Sequence, residues 1–448
     1  MSNAASHTEE LEAALEARLA GRTARIGIVG MGYVGLPLML AASEAGFHVL
    51  GFDIDAPKVE NLNRGLSPLA HIGHERVADR RERGLFEATC DFARAAQCDA
   101  LLLCVPTPLG RHHEPDLSFV EGTARSIAPH IRPGQLVVLE STTWPGTTRE
   151  VLKPLLEAGG LVSGRDFFLA YSPEREDPGN RDFETARIPR VVGGDGEAAL
   201  RLASALYRSF VCATVPVSST DLAEAVKLTE NIFRSVNIAL VNELKTVFTA
   251  MGIDVFEVIE AAATKPFGYM PFRPGPGLGG HCIPIDPFYL TWRAREFGVR
   301  TRFVELAGEI NTAMPAWVVA RLAEALDART GKGLNGARIL LVGIAYKKNV
   351  DDMRESPALT VWRLLEARGA LLSYHDPHVP VIPPTREHAA LAGRRSVPLE
   401  AEALRQLDAA LVITDHDAID WSLLQRVVPL LVDTRNRLST GHASVVPA

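Results

Sequence analysis

The chain has 448 residues, too many for a single hydrophobic core, so two or three domains are expected. Hydrophobic residues make up 47% and charged residues 23%, an ordinary globular balance. The net charge of −7 sets aside general nucleic-acid binding, so an anionic ligand would have to meet local basic residues rather than a global field. There is no run of about 18 apolar residues and no basic stretch leading into an apolar N-terminal segment. Neither a membrane span nor a signal peptide is expected, and the chain reads as cytoplasmic. Five cysteines (Cys90, Cys98, Cys104, Cys212, Cys282) without C-x-x-C pairing fit a reduced chain with no metal site.

Residues 1–22 read as a helical or frayed leader without chemistry. Arg25–Val29 is a short strand running into GMGYVG (Gly30–Gly35), followed by an alanine-rich helix and a second strand, His48–Asp55. Gly30 permits the tight turn, Gly32 lets backbone approach a pyrophosphate, and Gly35 lets helix and strand pack closely. The pyrophosphate meets the helix N-terminus, and Asp53 accepts from ribose hydroxyls, which favours NAD over NADP. Tyr33 and Val34 within the turn, and Lys58 just beyond Asp53, are expected beside the same cofactor. Strands at Asp99–Val105 and Gln135–Ser141 end in the turns VPTP and STTWPGTT, where ligands collect in doubly wound sheets. Pro106, Thr107 and Thr143 are therefore expected at the cofactor, and Thr142 near the chemistry. SPERE follows apolar FFLAY; Glu174 is suited to steering water or a proton, with a solvated loop as the plain alternative.

A breaker-poor stretch from Ser218 to Ala263 predicts one helix or two in tandem, interrupted near Gly252. Glu224, Lys227 and Asn231 fall at i, i+3 and i+7, on one face; among apolar neighbours they are expected to look into a cleft, with a solvated stripe as the plain alternative. Then comes RPGPGLGGHCIPIDPFYL (273–290), whose four glycines and four prolines predict neither helix nor strand. Its glycines, Gly279 among them, would bring backbone close to a ligand and offer exposed N–H groups to it. A thiolate among such donors and a lysine becomes a nucleophile, so Cys282 is the sharpest candidate, although a free cysteine is often an inert small hydrophobe. Asp286 would orient a cation or water nearby, whereas His281 is expected to be structural. From Ala337 the first pattern returns: RILLVGIAYKKN, the helix SPALTVWRLLEARGA, and LLSYHDP ending in Asp376. LDAALVITDHD then parallels CDALLLCVPTP, giving a weak repeat whose second copy lacks the glycine fingerprint. The fold class is α/β: two Rossmann-like doubly wound domains (23–215 and 331–448) joined by a long central helix and a helical middle domain (216–330).

A nicotinamide site with a nucleophilic cysteine points to oxidation through a thiohemiacetal to a thioester, then hydrolysis. From about residue 24 the chain resembles the UDP-glucose/GDP-mannose dehydrogenase family of nucleotide-sugar 6-dehydrogenases. These oxidise an alcohol to a carboxylate with two NAD⁺ and no release of the aldehyde. The resemblance is carried by GMGYVG, SPE at 172–174, Lys227 with Asn231, GGHC-x-x-x-D at 279–286, and GIAYKKNVDDMRES at 343–356. It implies Cys282 as nucleophile, Lys227 and Asn231 at the oxyanion, Asp286 assisting a water or polarising the lysine, and Glu174 in thioester hydrolysis. Glu176 is a poorer match to a second family glutamate and is placed with the cofactor. Arg273, Gly279, Lys347 and Arg435 would hold the nucleotide-sugar, and Arg354 would lie near the cofactor. A family arginine lent by the partner subunit has no clear counterpart in ATKPFGYMPF, which leaves its role to Lys265 or Arg273, or unfilled. The wording of the motifs resembles enzymes of UDP-N-acetylhexosamines. UDP-N-acetylglucosamine is the first expectation, with the mannosamine and galactosamine epimers and UDP-glucose as alternatives. A homodimer or larger homo-oligomer through the central helix is also implied. A single-step 3-hydroxyacid dehydrogenase would need neither Cys282 nor a second nucleotide lobe. A non-catalytic nucleotide-sugar binder or a dimer scaffold would not need the polar trio on the helix.

Overall fold

In the computed structural model, residues 2–69, 72–110, 114–175, 185–280, 282–384, 388–438 and 442–448 are described, with backbone alone at 2–5, Thr185 and Cys282. Strand β1 (Arg25–Val29) has four of its five residues buried, as a strand in the middle of a parallel sheet must. On one side of it lie β2 (His48–Phe52) and β3 (Phe86–Thr89). On the other lie β4 (Ala100–Leu103), β5 (Leu136–Leu139), β6 (Phe168–Tyr171), β7 (Arg190–Gly194) and β8 (Thr214–Val217), giving the order β3-β2-β1-β4-β5-β6-β7-β8. Every neighbouring pair is parallel except β6 with β7. The core of this sheet is aliphatic, with Ile26, Ile28, Leu36, Leu40, Leu102 and Val138 all buried.

A second, wholly parallel sheet is built from β9 (Arg338–Val342), β10 (Leu371–His375), β11 (Ala409–Val412), β12 (Leu431–Asp433) and β13 (Val445–Pro447), in the order β10-β9-β11-β12-β13. In both sheets the first strand lies between the second and the one that begins the other half. Strand order reverses there, and that reversal opens the ligand crevice of doubly wound folds. The repeat extends to single hydrogen bonds. Gly30 N–H donates to the Phe52 carbonyl at 2.8 Å, and Gly343 N–H donates to the His375 carbonyl at 2.8 Å. Asp53 accepts from Met31 N–H at 3.0 Å, and Asp376 accepts from Ile344 N–H at 2.7 Å. In the second copy the buried ring of His416 also takes Asp376, at 3.0 Å. The fold is thus α/β with two Rossmann-like lobes.

Two compact units divide the chain: Met1–Glu230 with Phe288–Arg300, and Asn231–Pro287 with Thr301–Ala448. The helix Ser2–Ala20 buries Leu15 and Leu19 in the first unit's core, and its Glu12 accepts both arms of Arg201 at 2.7 and 2.9 Å. The boundary falls inside the long helix Thr220–Ala250, which stops just before Gly252 (φ +72°). Asp254 then caps the next helix, Val255–Ala263, accepting from Phe256 N–H at 2.8 Å.

The glycine–proline segment corrects one expectation, because a helix runs from Cys282 to Glu296. Pro284 is its third residue, where an N–H has no intrahelical partner to lose, and only Pro287 forgoes a bond. A further helix, Arg302–Thr330, ends on left-handed Gly331. Among the described residues no helix is long and apolar enough to cross a membrane. No cluster of three or more His, Cys, Asp or Glu side chains among them could hold a metal ion.

Gly343 has φ +75°, and a Cβ there would lie 2.0 Å from the Thr414 carbonyl oxygen. Gly343→Ala is expected to destabilise the chain by more than about 2 kcal/mol, read as a lower urea midpoint.

Candidate active site

The turn after β1 is shaped for a ligand on one side only. Gly30 has φ +93°, and a Cβ on it would sit 2.6 Å from the Cys104 carbonyl oxygen; one on Gly35 would sit 1.9 Å from the Gly30 oxygen. Both glycines therefore serve close backbone packing. Gly32 differs, because a Cβ there would meet nothing within 4 Å, so open space lies over the middle of the turn. The helix Gly35–Glu44 starts without a side-chain cap, so the positive end of its dipole faces the turn without a carboxylate or hydroxyl on it. Tyr33 and Val34 are half-buried beside that opening. Asp53, at the end of β2, is 7% exposed. It accepts from Met31 N–H at 3.0 Å, Asp55 N–H at 3.0 Å and Lys58 Nζ at 3.0 Å. Lys58 is thus drawn onto Asp53 itself. The open turn, the uncapped helix end and the carboxylate on β2 fit a dinucleotide such as NAD.

Glu224 organises the neighbouring strand ends. Its carboxylate accepts from Gly146 N–H at 2.6 Å, Thr148 N–H at 2.9 Å, the Thr148 hydroxyl at 2.7 Å and the Thr143 hydroxyl at 3.4 Å. The expectation that Glu224 looks into a cleft is therefore corrected, since it is a buried clamp on STTWPGTT. Burial pushes its pKa up to about 7, against the opposing pull of those donors. The Ser141 hydroxyl donates to the Val105 carbonyl at 2.7 Å, tying the β5 turn to the β4 turn. Thr142 is half-buried between clamped neighbours, Thr143 is buried, and Pro106 is exposed. Buried Thr107 accepts from the Tyr289 hydroxyl at 2.8 Å through its carbonyl. Arg293, on the same helix as Tyr289, grips Glu150 at 2.6 and 2.7 Å.

Lys227, 6% exposed, stands one turn beyond Glu224 on the long helix and donates from Nζ to the Glu174 carbonyl. The first unit therefore brings together two of the expected catalytic residues. The Glu174 carboxylate accepts from Arg175 N–H at 2.6 Å and from Arg190 Nη2 at 2.6 Å. Glu176 and His281 lie outside the described residues.

In the second unit Asn231, 3% exposed, donates from Nδ2 to Asp286, which is 1% exposed. Asp286 stands one turn into the helix that Cys282 opens, so the residue pair ties the long helix to the cysteine helix. Two of the four glycines before Cys282 give their N–H groups to the protein itself. Gly280 N–H donates to the Arg354 carbonyl at 2.9 Å, and Gly275 N–H to Asn242 Oδ1 at 3.0 Å. A Cβ on Gly279 would lie 2.6 Å from Tyr346 Cβ, so these glycines make room for the turn after β9. Arg435 donates from Nε to the Ile413 carbonyl at 2.7 Å, and a Cβ on Gly275 would lie 2.5 Å from its Nη1. Lys347 is half-buried in the turn after β9, and Arg354 is paired with Asp352 at 2.7 Å. Arg273 is 62% exposed at its side chain and stands 3.5 Å from Glu260.

Sequence reasoning missed Glu140 and Arg190, which join Glu174 in a buried network. The available signal was a charge at the edge of an apolar strand, in LVVLE and RVVGG, with no partner nearby in the chain.

The fold and the dinucleotide crevice define an NAD-dependent dehydrogenase. Domain models of one family match along the chain. The NAD binding domain of the UDP-glucose/GDP-mannose dehydrogenase family matches residues 24–211, its central domain 221–313, and its UDP binding domain 340–440. UDP-N-acetyl-D-glucosamine 6-dehydrogenase of Pseudomonas aeruginosa is 36% identical over 357 residues, covering 79% of this chain and 83% of that protein. UDP-N-acetyl-D-mannosamine dehydrogenase of Yersinia pestis is 36% identical over 403 residues, 87% of this chain and 93% of that one. The solved UDP-D-ManNAc dehydrogenase of Pyrococcus horikoshii superposes with a TM-score of 0.84 at 33% identity, covering 94% of this chain and 98% of that one. The chain belongs to the UDP-glucose/GDP-mannose dehydrogenase family, the NAD-dependent nucleotide-sugar 6-dehydrogenases.

Glu224, at about 7 when folded against 4.5 for an ordinary glutamate, keeps a proton that the unfolded chain has already lost between those values. Its contribution to stability is full below the lower value and is lost as pH rises through the upper one, about 3 kcal/mol in all. Glu224→Gln is expected to remove that part of the slope, read from urea midpoints between about pH 4 and pH 8.

Proposed function

We propose that the chain oxidises the C6 hydroxyl of a UDP-N-acetylhexosamine, UDP-N-acetylglucosamine first, to the uronic acid by way of a thioester on Cys282. The observation that carries this reading is the Asn231–Asp286 hydrogen bond, which links the helix of Lys227 to the helix opened by Cys282. When bound, NAD⁺ supplies a hydride acceptor for each of two oxidations, one molecule per oxidation.

The residues divide the remaining work. Lys227 stabilises the alkoxide that forms as the C6 hydroxyl passes its proton to solvent water, and it is held for this by the Glu174 carbonyl. Cys282 adds its sulfur to the aldehyde carbon, giving a thiohemiacetal whose oxygen charge Lys227 and Asn231 share. As the first residue of a helix, Cys282 stands where backbone N–H groups favour negative charge. Asp286 fixes the Asn231 amide in place. After the second oxidation Glu174 takes a proton from a water. The water oxygen bonds to the acyl carbon, and the C–S bond breaks with its electron pair returning to Cys282. Thr142 stands with the catalytic residues, whereas Thr143, Pro106, Thr107, Lys58, Tyr33 and Val34 serve the cofactor, and Arg354 and Glu176 are kept with that group. Arg435 and Lys347, in the segment matched by the UDP binding domain, and Gly279 and Arg273, in the segment matched by the central domain, serve the nucleotide-sugar. Residues 23–215, 216–330 and 331–448 act as the cofactor, central and sugar-nucleotide domains, with 1–22 as leader.

The N-acetylhexosamine choice is supported by the relatives named above, which act on glucosamine and mannosamine epimers. A homodimer through the long helix is supported by Phe233, Leu240 and Val247, which recur every seven residues on it and are 46–51% exposed in the single chain.

Two NADH per sugar are expected, with UDP-N-acetylglucosamine giving the highest rate in a panel that includes its mannosamine and galactosamine epimers and UDP-glucose. One NADH per sugar would instead fit a single-step dehydrogenase. Cys282→Ser is expected to abolish acid production while holding UDP-sugar binding within about tenfold.

A further inference from the structure

Arg190 heads β7 and is 2% exposed, yet its guanidinium serves two carboxylates. Nη1 donates to Glu140 and, at 3.3 Å, to the Pro173 carbonyl; Nη2 donates to Glu174 Oε2 at 2.6 Å. The Tyr207 hydroxyl donates to the other oxygen of Glu140, and the Arg190 guanidinium lies 5.4 Å from the Tyr207 ring centroid. Glu140 is wholly enclosed, whereas the Glu174 side chain keeps 13% of its exposure.

A buried guanidinium needs one carboxylate to offset its desolvation. Glu140 already fills that role, with Tyr207 completing it, so the second carboxylate is more than the fold requires. Glu174 is held on its carboxylate by Arg190 Nη2 and through the preceding carbonyl by Arg190 Nη1. One planar, fork-shaped group thus sets both the backbone entering Glu174 and its side-chain rotamer, which an ammonium could not do.

We propose that Arg190 is the positioning residue for Glu174 in thioester hydrolysis, with Glu140 and Tyr207 anchoring the far arm of the guanidinium. This rests on the role given to Glu174 under the proposed function. Arg190 itself touches neither water nor acyl carbon; with Arg175 N–H it holds the carboxylate in the one orientation from which Glu174 takes the proton of the attacking water. Burial and the neighbouring Glu174 charge push Glu140 upward against the pull of Arg190, in keeping with two carboxylates competing for one cation.

The test uses the full-length enzyme mixed rapidly with NAD⁺ and UDP-N-acetylglucosamine. Arg190→Lys is expected to lower kcat about tenfold while kcat/KM for the sugar nucleotide stays within about twofold, because hydrolysis follows the oxidations. The first turnover should then show a burst of two NADH per site before a slow phase. If the lysine variant does not fold, Glu140→Leu/Arg190→Met removes both buried charges at similar volume, a change that folds tolerate, and should show the same burst. Glu174→Gln serves as the reference and is expected to burst as well. A reference that bursts, beside Arg190 variants with wild-type kcat or with equal losses in kcat and kcat/KM, would overturn the positioning role alone. A reference without a burst would overturn the role of Glu174, and the inference with it.

Discussion

Seven polar side chains are buried along one stripe of the helix Thr220–Ala250: Thr220, Glu224, Lys227, Asn231, Ser235, Asn242 and Lys245, at intervals of three, four or seven. A buried polar group without a partner costs about 1–3 kcal/mol, and five of these seven meet that demand by bonding another segment. Glu224 draws the turn after β5, and Lys227 the carbonyl of Glu174. Asn231 draws Asp286, Asn242 draws both Asn311 and the backbone of Gly275, and Lys245 the carbonyl of Thr434 at 3.4 Å. The segments recruited in this way are, in the first unit, the turn after β5 and the Glu174 backbone and, in the second, the cysteine helix, the glycine segment before it and the strand end that carries Arg435.

The stripe also separates the kinds of work its residues do. Glu224 spends its lone pairs on protein donors and shapes a turn. Lys227 gives its ammonium to the backbone carbonyl of Glu174. Lys245, 2% exposed, is pushed down to about 7 by burial and by the nearby Arg435 charge, and it lies over the rings of Phe256 and Trp317. Three buried ionisable groups on one helix thus take three roles, each set by surroundings rather than residue type.

What was legible in the sequence was local. The glycine fingerprint, Asp53 and the pairing of β1 with β2 are fixed by contacts within about thirty residues, and periodicity with turn chemistry exposes them. The break at Gly252 belongs with them, because a left-handed glycine followed by an aspartate cap is written in four adjacent residues. The density of glycine and proline in residues 273–290 hides the helix that begins at Cys282. The segment's glycines announce that backbone comes close to something, but Tyr346 and Arg354, some seventy residues on, are what it meets. Its prolines count against a helix only where an N–H is needed, and Pro284 sits in the first turn. The Glu140–Arg190–Glu174 network was out of reach for the same reason: its members sit on three strand ends, and only the sheet order joins them.

The account turns on Cys282 carrying the sugar between the second oxidation and hydrolysis. Acid-quenching the enzyme during steady turnover with UDP-N-acetylglucosamine and NAD⁺, then digesting it and weighing the peptide that contains Cys282, tests this directly. The account predicts a fraction of that peptide heavier by a UDP-N-acetylhexosaminuronyl group in thioester linkage, released by hydroxylamine. Unmodified Cys282 throughout turnover, with the acyl group found on another residue or on none, would contradict it.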